Sequence, residues 1–385
     1  MRFADNRNKI GKYIPVVVFL IFIYGMALWF IFSPKPDYSS SEKRYLQKFP
    51  EVTAEKLLSG EFGSEFETFF ADRFPQRNTW VGLNAYTALA EGNNGASGVY
   101  NCKNGYLINK PVSTENNLDK NIGAVADFAK SIDTPTTVML VPSTGYIVDD
   151  VLPTFHDKYN DDEDISKISS TLSKDKIGFV DLRERFKSEY KNGSQLYYKT
   201  DHHWTTKGAY TGYQELCKAL GVTPIDDSTL KKDSYPDFYG TTYSSSGFWL
   251  TPPDNIEIWN NPKNSDRNIS VKITEGANIK TSGSMYFTDH LKEDDKYPVF
   301  IDGNHALTEI TNSNAKNGTI ILIKDSFSHS LAPFLAENYS KVVLVDLRYY
   351  KESVSDLVTT YNPEQVVVLY GIDNLATDTD IVWLK

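Results

Sequence analysis

Cysteine is scarce in this chain of 385 residues, which has only Cys102 and Cys217. The two lie far apart and share no CxxC spacing, so the sequence contains neither a disulfide framework nor a cysteine zinc pattern. Whether these thiols pair with each other or stay free is open at this stage. Basic residues are also in deficit, because 40 Lys and Arg face 50 Asp and Glu and the formal net charge is −10. That balance argues against a nucleic-acid partner, which would require a basic surface.

Long apolar runs are missing as well, with one exception at residues 14–32, which read IPVVVFLIFIYGMALWFIF. At about 1.5 Å per residue, a helix of this length just spans the ~30 Å hydrocarbon core of a bilayer. Four basic residues and one acidic residue precede the run: Arg2, Arg7, Lys9, Lys12 and Asp5. The positive-inside rule therefore predicts a cytoplasmic tail, with everything after residue 33 outside the membrane. Since no second run of this length follows, we expect a single crossing.

The alternative to a retained anchor is a cleaved signal peptide. The apolar part of a signal peptide is usually shorter and ends near small residues of the A-x-A type. This run ends instead in four bulky residues, Trp29, Phe30, Ile31 and Phe32. We therefore predict that residues 1–33 form a cytoplasmic tail and a retained transmembrane anchor.

A linker and a helical segment are predicted at residues 34–95. The linker is rich in Pro and Ser, and the apolar residues after it recur three and four positions apart, as on one face of a helix. Four phenylalanines show this spacing: Phe62, Phe66, Phe69 and Phe70. Pro50 and Pro75 divide the segment into separate helices. We assign it no catalytic role.

Residues 96–385 alternate apolar, β-branched runs with helix-like stretches. The runs predicted as buried strands are residues 136–142, 178–182, 318–326, 341–347 and 365–370. The helices predicted between them include residues 117–131, 206–220 and 351–360. Continuous apolar strands that alternate with helices indicate a parallel sheet covered on both faces. The predicted fold class is therefore α/β, an α/β/α sandwich, with an irregular β-rich insertion at about residues 235–294.

Titratable groups are concentrated in the segment TDHHWT, residues 200–205, although the whole chain has only six His. In an extended backbone, Asp201 and His203 would share one side and His202 would face the other. A carboxylate that accepts the Nδ1 proton of an imidazole fixes its tautomer and leaves Nε2 free as a base. The residues that follow predict a helix start with a Thr cap, which places the motif in a loop at the ligand-binding edge of the sheet.

A metal site is the competing interpretation of the same three side chains. It would need a third or fourth ligand, and the sequence has no HxxxH or CxxC companion to supply one. Neighbouring His residues also point apart on a strand and rarely bind one ion together. We therefore rank a metal site below a catalytic role and predict no cofactor.

A nucleophile for such a base stands at Ser326, where an apolar strand runs directly into a predicted helix. Amides near the helix N-terminus could stabilise an oxyanion at this turn. This is the arrangement of a nucleophile elbow, although the G-x-S-x-G sequence is absent. We predict that Ser326, His203 and Asp201 form a catalytic triad. His329 is a rival base that would lie one helical turn below the serine, and Asp325 is expected to turn away from the site.

Together these features resemble the DHHW family of membrane-anchored extracytoplasmic proteins, which are similar to SGNH-hydrolase-like alginate O-acetyltransferases. The resemblance covers most of the chain: the anchor, the D-R-F-P-x-R phrase at residues 72–77, the D-x-H-W motif, the serine turn and the LRYY phrase at residues 347–350. It implies an SGNH-hydrolase-like fold and assigns the triad to Asp201, His203 and Ser326.

The resemblance also implies a function. Family relatives transfer acetyl groups to exported polysaccharides, usually beside a multi-spanning membrane acyltransferase that supplies the acetyl group. The expected activity is extracytoplasmic O-acetyl transfer to an exported or cell-surface polysaccharide through an acyl-enzyme. A carbohydrate acetyl esterase with the same triad and a non-catalytic glycan-binding subunit of an envelope assembly are the alternatives, because the sequence does not show whether water reaches the acyl group.

The chain departs from the SGNH pattern at Lys324, where these enzymes have Gly. The separate Gly and Asn blocks of their oxyanion hole are also absent. The amide of Ser326 is our first candidate for the oxyanion donor, and Tyr370 at the end of a strand is the second. Arg348 could reach the same rim or serve as an ion-pair partner. Trp204 could stack on a sugar or belong to the core.

Overall fold

The computed structural model describes residues 2–112 and 117–384, without the side chains of residues 2–12. The basic residues on which the predicted membrane orientation depends therefore lie outside the described side chains. The chain forms two compact units, Met1–Thr87 and Ala88–Lys385. The domain limits that we drew from the sequence, at residues 33 and 95, stay predictions.

The first unit begins with one long helix and continues with short elements. They are α1 (Arg2–Phe32), β1 (Tyr38–Ser39), β2 (Arg44–Tyr45), α2 (Ala54–Ser59), α3 (Glu61–Asp72) and α4 (Arg77–Ala90), which extends into the second unit. Within α1, Tyr13–Phe32 is long and apolar enough to cross a membrane, and none of this span is buried. The predicted candidate anchor is thus confirmed as a helix, whereas its orientation stays a prediction.

The second unit alternates strands and helices. Its strands are β3 (Gly95–Ala96), β4 (Val99–Asn101), β5 (Leu107–Asn109), β6 (Thr136–Val141), β7 (Gly178–Asp181), β8 (Lys231–Phe238), β9 (Asp254–Asn260), β10 (Ile269–Glu275), β11 (Asn278–Ser282), β12 (Leu307–Asn312), β13 (Asn317–Lys324), β14 (Tyr339–Val345) and β15 (Gln365–Gly371). Its helices are α5 (Leu118–Ser131), α6 (Thr144–Ile147), α7 (Asp161–Lys174), α8 (Arg183–Lys191), α9 (Thr206–Leu220), α10 (Thr241–Ser246), α11 (Ser328–Leu335), α12 (Val354–Tyr361) and α13 (Ile372–Thr377). Both cysteines of this unit are free and buried.

An eight-stranded sheet forms the centre of the second unit, in the order β11-β10-β12-β14-β13-β15-β6-β7. The last five strands of this order are parallel to one another. They coincide with the five strands predicted from the sequence. In β6, β13 and β15 most side chains are buried on both faces, as the continuous apolar runs indicated, whereas the edge strand β7 is mostly exposed. The predicted α/β class with a large central sheet is confirmed.

Three further strands extend this sheet at one edge in the antiparallel sense: β12 beside β14, β10 beside β12, and β11 beside β10. Two of them, β10 and β11, come from the stretch at residues 235–294, so part of the predicted insertion belongs to the central sheet. In β10 the buried residues Ile269, Val271 and Ile273 alternate with more exposed ones. That alternation is typical of an antiparallel strand with one covered face. Of the same stretch, β9 pairs with β8 in a separate two-stranded ribbon.

Each face of the sheet packs against its own group of helices. In β13, Ile320 and Leu322 point into an apolar cluster to which α9 and α11 contribute. Ile321 and Ile323 point into the opposite cluster, to which α5 and α12 contribute. Since the parallel strands all end at one edge, the loops after β6, β13 and β15 meet there.

Two carboxyl groups, of the buried Asp161 and the half-buried Asp373, hold Ser143 in the loop after β6. The carboxyl of Asp161 accepts a hydrogen bond from the Ser143 amide at 2.7 Å, and that of Asp373 accepts one from the Ser143 hydroxyl at 3.1 Å. Burial raises the pKa of Asp161 to about 7 and the pKa of Asp373 to about 6. This edge of the sheet therefore holds acids that stay protonated in mildly acidic solution.

We expect Asp373→Asn to flatten the pH dependence of stability between about pH 4 and 6. In that window an unfolded aspartate, with a pKa of about 4, is ionised while the folded one keeps its proton. The folded state then binds more protons, so the wild-type free energy of unfolding falls as the pH rises. Asp373 contributes at most ~3 kcal/mol of this fall.

Urea unfolding at a series of pH values measures the effect. The matched control is Asp133→Asn, which changes an exposed aspartate and should follow the wild-type curve. A wild-type slope in Asp373→Asn would contradict the prediction.

Candidate active site

Two segments that are distant in sequence meet at the carboxyl edge of the sheet. The first is a tight loop at residues 197–204, and Thr205 after it caps α9 as predicted, since its Oγ1 accepts a hydrogen bond from the amide of Gly208 at 3.1 Å. The second is the turn between β13 and α11, which carries Ser326. The site is built where these two turns face each other.

Asp201 and His203 lie side by side because of a turn, not because of the extended backbone that we expected. Residues 200–203 are bent, and one carboxylate oxygen of Asp201 accepts hydrogen bonds from the His203 amide at 2.9 Å and from His203 Nδ1 at 2.5 Å. The other oxygen accepts hydrogen bonds from the amide and the hydroxyl of Thr241, at 2.7 and 3.1 Å. These bonds keep the proton of His203 on Nδ1, so Nε2 is available as a base.

Ser326 faces that nitrogen. Its Oγ lies 2.7 Å from Nε2 of His203, although the two residues are 123 positions apart. Asp201, His203 and Ser326 are only 2%, 4% and 9% exposed, so little water competes for these hydrogen bonds. The structure thus brings the three predicted triad residues into one hydrogen-bonded chain. Their catalytic role stays a prediction.

Aromatic rings hold the imidazole of His203 in position. It stacks on Tyr297 with a centroid distance of 3.9 Å and an angle of 9°, and on His202 at 3.8 Å and 37°. Phe327 approaches it edge-on at 5.1 Å. His202 is held in turn by a hydrogen bond of 2.7 Å between its Nδ1 and Oγ1 of Thr241. His202 therefore packs on His203 and bonds to Thr241, so the expectation that it would face the opposite side is wrong.

The electrostatic surroundings keep Asp201 ionised. Burial by itself raises the pKa of this carboxyl, but His203, His202 and the amide of Thr241 outweigh burial and hold the pKa well below its usual range. The pKa of His202 falls to about 4, because burial and the neighbouring His203 both disfavour its charged form. At neutral pH the site therefore presents a carboxylate beside an uncharged His202.

Asp325 organises the turn that carries the nucleophile. Its carboxylate accepts hydrogen bonds from the amides of Phe327 and Gly371, at 2.9 and 2.7 Å, and from Nδ2 of Asn374 at 2.7 Å. Asp325 also borders the cavity beside the triad, so the prediction that it turns away from the site is wrong. These bonds fasten the turn of Ser326 to the end of β15.

Lys324, which departs from the SGNH pattern, belongs to a buried ion pair. Its Nζ donates to Asp346 at 2.9 Å and to Nε2 of His329 at 2.8 Å, and Asp346 also accepts from Arg348. Burial lowers the pKa of Lys324, whereas Arg348 and Lys324 outweigh burial and lower the pKa of Asp346. Because Nε2 of His329 contacts Lys324 and not Ser326, the rival base is not in place.

The triad borders a cavity of about 470 Å³. Several polar side chains from other segments, including α13, line it: Asn304, Arg348, Asn374, Thr377, Asp378 and Asp380. Arg348 thus reaches the rim as predicted, where it donates to Asn304 at 2.8 Å. The sequence analysis missed Tyr297, Asn304 and Asn374, since they come from separate segments of the chain and share no motif with the triad.

Two of the predicted contact residues lie away from this cavity. Trp204 has no exposed surface, and its Nε1 donates to the carbonyl of Phe327 at 3.0 Å and to Oγ of Ser330 at 2.9 Å. It fastens the two site segments together and cannot stack on a sugar. Tyr370 is 2% exposed and points into the apolar cluster beside α5 and α12. Within the described chain neither residue lines the cavity, so Tyr370 is not in place as an oxyanion donor, and of the two alternatives for Trp204 the structure supports the core and not the sugar contact.

A metal ion is the competing occupant of this site. Asp201, His202 and His203 each offer a ligand atom, and these atoms lie within 4.8 Å of one another. Both ring nitrogens of His203 are already in hydrogen bonds, to Asp201 and to Ser326. A cation here would have to break one of those bonds, so the arrangement favours activation of the serine.

Comparisons with known proteins agree with this architecture. The family described as DHHW protein matches residues 103–345. A DHHW family protein from Eubacterium siraeum DSM 15702 is 18% identical, with a TM-score of 0.63 over 75% of this chain and 95% of that one. Bacillus cereus PatB1, solved with a sulfonyl adduct, is 20% identical, with a TM-score of 0.61 over 74% of this chain and 97% of that one. At these identities the likeness shows a shared fold. No functionally curated protein matches the chain.

Gly240 lies directly against Asp201, so a larger residue at this position should displace the carboxylate. A Cβ at this position would lie 2.1 Å from the Cβ of Asp201 and 2.3 Å from its Oδ2. We expect Gly240→Ala to displace the carboxylate and to lower kcat for a chromogenic acetyl ester roughly 100-fold, since misplacement by about 1 Å is enough for such a loss.

Gly123→Ala in α5 is the matched control, because nothing lies within 4 Å of the added Cβ. It should keep wild-type activity. If the two alanine variants were equally active, the Asp201 carboxylate would not be positioning the imidazole.

Proposed function

This chain belongs to the DHHW protein family, and we propose that it is an extracytoplasmic O-acetyltransferase that modifies an exported or cell-surface polysaccharide. One observation carries the proposal: the hydrogen-bonded chain from Asp201 through His203 to Ser326 at the wall of a polar cavity. In the family that the chain resembles, these three residues carry out acyl transfer.

The first half-reaction forms an acyl-enzyme. Nε2 of His203 takes the proton of the Ser326 hydroxyl while Oγ attacks the carbonyl carbon of an acetyl donor. Asp201 stays ionised and stabilises the imidazolium that forms. When the bond between the carbonyl carbon and the donor oxygen breaks, the leaving group takes the proton from His203. Ser326 then carries the acetyl group as an ester.

The second half-reaction reverses these roles. His203 removes the proton of a sugar hydroxyl, the sugar oxygen attacks the acetyl carbon, and Oγ of Ser326 leaves and recovers its proton. Amide and hydroxyl groups from Asn304, Asn374 and Thr377 line the cavity. Such groups donate and accept hydrogen bonds, which suits the many hydroxyls of a glycan.

The developing oxyanion needs donors that are in place before the reaction. The amide of Ser326 remains our first candidate, because it lies in the turn itself. Arg348 is the second, since its guanidinium lines the same cavity while Asp346 holds it. Arg348 is 37% exposed at its side chain, so part of it can meet a ligand.

The source of the acetyl group is a separate element of the proposal. By family resemblance, a multi-spanning membrane acyltransferase supplies it. The candidate anchor, Tyr13–Phe32, would keep this chain beside such a partner. The membrane orientation follows from the positive-inside rule and is likewise part of the proposal.

We expect Ser326→Ala to abolish turnover of a chromogenic acetyl ester and to block labelling by an aryl sulfonyl fluoride. The alanine removes the only atom that the reagent and the substrate would attack in this account. Initial rates and intact mass of the full-length protein in detergent measure the two effects. A residual rate within about 10-fold of wild type would contradict the assignment, since loss of an essential nucleophile costs several orders of magnitude.

The matched control is Ser328→Ala. This serine lies two residues further along the same turn and is fully buried, and its hydroxyl has no hydrogen-bond partner in the described chain. It should keep both labelling and turnover. A wild-type protein without turnover or labelling would favour the glycan-binding subunit.

Transfer and hydrolysis differ in the fate of the acetyl group. With an acetyl ester as donor and glycan oligomers present, we expect mass spectrometry to find oligomers heavier by one acetyl group, because a bound sugar hydroxyl outcompetes water. The Ser326→Ala protein should give no such product. Acetate release without modified glycan would identify the protein as an esterase instead.

A further inference from the structure

A cluster of exposed apolar side chains stands beside the candidate anchor, within the first unit. It consists of Phe49, Val52, Leu57, Leu58, Phe66 and Phe70, which we call the juxtamembrane face. Leu58 is 89% exposed, and the other members range from 38% to 64%. Isolated apolar residues on a surface need no explanation, but here six of them stand between residues 49 and 70, and the ring of Phe49 packs on that of Phe66. Grouped exposed apolar residues mark an interaction surface.

Two members of the face, Phe66 and Phe70, belong to α3, whose apolar residues follow helical periodicity. Phe62, Phe66, Phe69 and Phe70 recur at intervals of four, three and one, so they form one stripe along the helix. Phe49, which precedes α2, packs its ring on three of them at 5.4 to 6.4 Å. The stripe is therefore a folded surface with a fixed shape.

Direct contact with the anchor fixes the position of this stripe along the membrane normal. Phe30, in the last turn of the apolar helix α1, meets the ring of Phe70 at 4.7 Å and that of Phe69 at 6.1 Å. The end of an apolar spanning helix lies where the hydrocarbon core meets the headgroups. The end of α3 must therefore lie at the same level.

The D-R-F-P-x-R phrase fixes the chain between the anchor and α3. The guanidinium of Arg73 donates to the carbonyls of Lys35 and Pro36, at 2.7 and 2.8 Å, and to that of Gln47 at 2.8 Å. Asp72 accepts a hydrogen bond from the amide of Gln47 at 2.9 Å. These bonds tie the residues after the anchor to the end of α3, so the stripe cannot swing freely away from the membrane.

We infer that the juxtamembrane face is a lipid-binding surface that lies in the outer headgroup layer of the bilayer. Amphipathic helices bind there by burying an apolar side among the acyl chains. The polar side of α3 carries Glu61, Glu65 and Glu67 and no basic residue, and Lys56 is already paired with the first two. Apolar burial, and not attraction to anionic lipid, must therefore hold this helix at the membrane. Binding should then need no anionic headgroup.

Site-directed spin labels on the full-length protein in phosphatidylcholine vesicles test this inference. Nitroxides at Leu58→Cys and Phe66→Cys probe the face, and one at Phe155→Cys probes another apolar residue, 84% exposed, in the second unit. The native cysteines are buried, and protein without an introduced cysteine gives the background signal. Power saturation compares collisions with oxygen, which concentrates in lipid, against collisions with a water-soluble nickel chelate.

At positions 58 and 66 we expect the ratio of oxygen to nickel collisions to exceed that at position 155 several-fold, with the same result when anionic lipid is added. Equal ratios at all three positions would show a face in water and overturn the inference. Labels shielded from both reagents would show contact between copies of the protein and would overturn it as well. Both outcomes are independent of acetyl transfer, which is assayed separately.

Discussion

The hydrogen bond between Nε2 of His203 and Oγ of Ser326 joins two turns that the sheet topology brings to one edge. Three neighbouring side chains hold the two turns in place and keep that contact short. Trp204 donates to the backbone behind Ser326, Tyr297 stacks on the imidazole and donates to the carbonyl of Ser326 at 3.1 Å, and Asp325 fastens the serine turn to β15. Preorganisation of this kind is what an acyl-transfer site requires, because reacting groups that are held in place need not be ordered during the reaction.

Burial of charge is the constraint that shapes the surroundings. Lys324 and Asp346 are almost completely buried, which is costly unless each charge is paired. Here Asp346 accepts from both Lys324 and Arg348, and Lys324 also donates to His329. This network explains how the fold tolerates a buried lysine beside the site: its charge is neutralised within the fold and does not enter the serine–histidine contact.

Much of this arrangement could be predicted from local sequence patterns, and the rest could not, for physical reasons. Apolar runs identified the five parallel strands. The positions of Asp201, His203 and Ser326, just before predicted helices, identified the residues that meet. The Asx-type turn at Asp201 was not visible, since side-chain bonds to the backbone leave no periodic signal. The burial of Trp204 and Tyr370, and the presence of Asn304 and Asn374 at the cavity, depend on contacts between segments that are distant in sequence. No short-range pattern encodes such contacts.

The central claim is that Ser326 becomes acylated, and trapping the intermediate tests it most directly. The full-length protein is mixed with an acetyl donor, quenched in acid within the first turnover and digested for peptide mass spectrometry. The account predicts one additional acetyl group on the peptide that contains Ser326, localised to its side chain and absent when His203 is replaced by Gln. Product formation without acetyl on Ser326, or with acetyl on another residue, would contradict it.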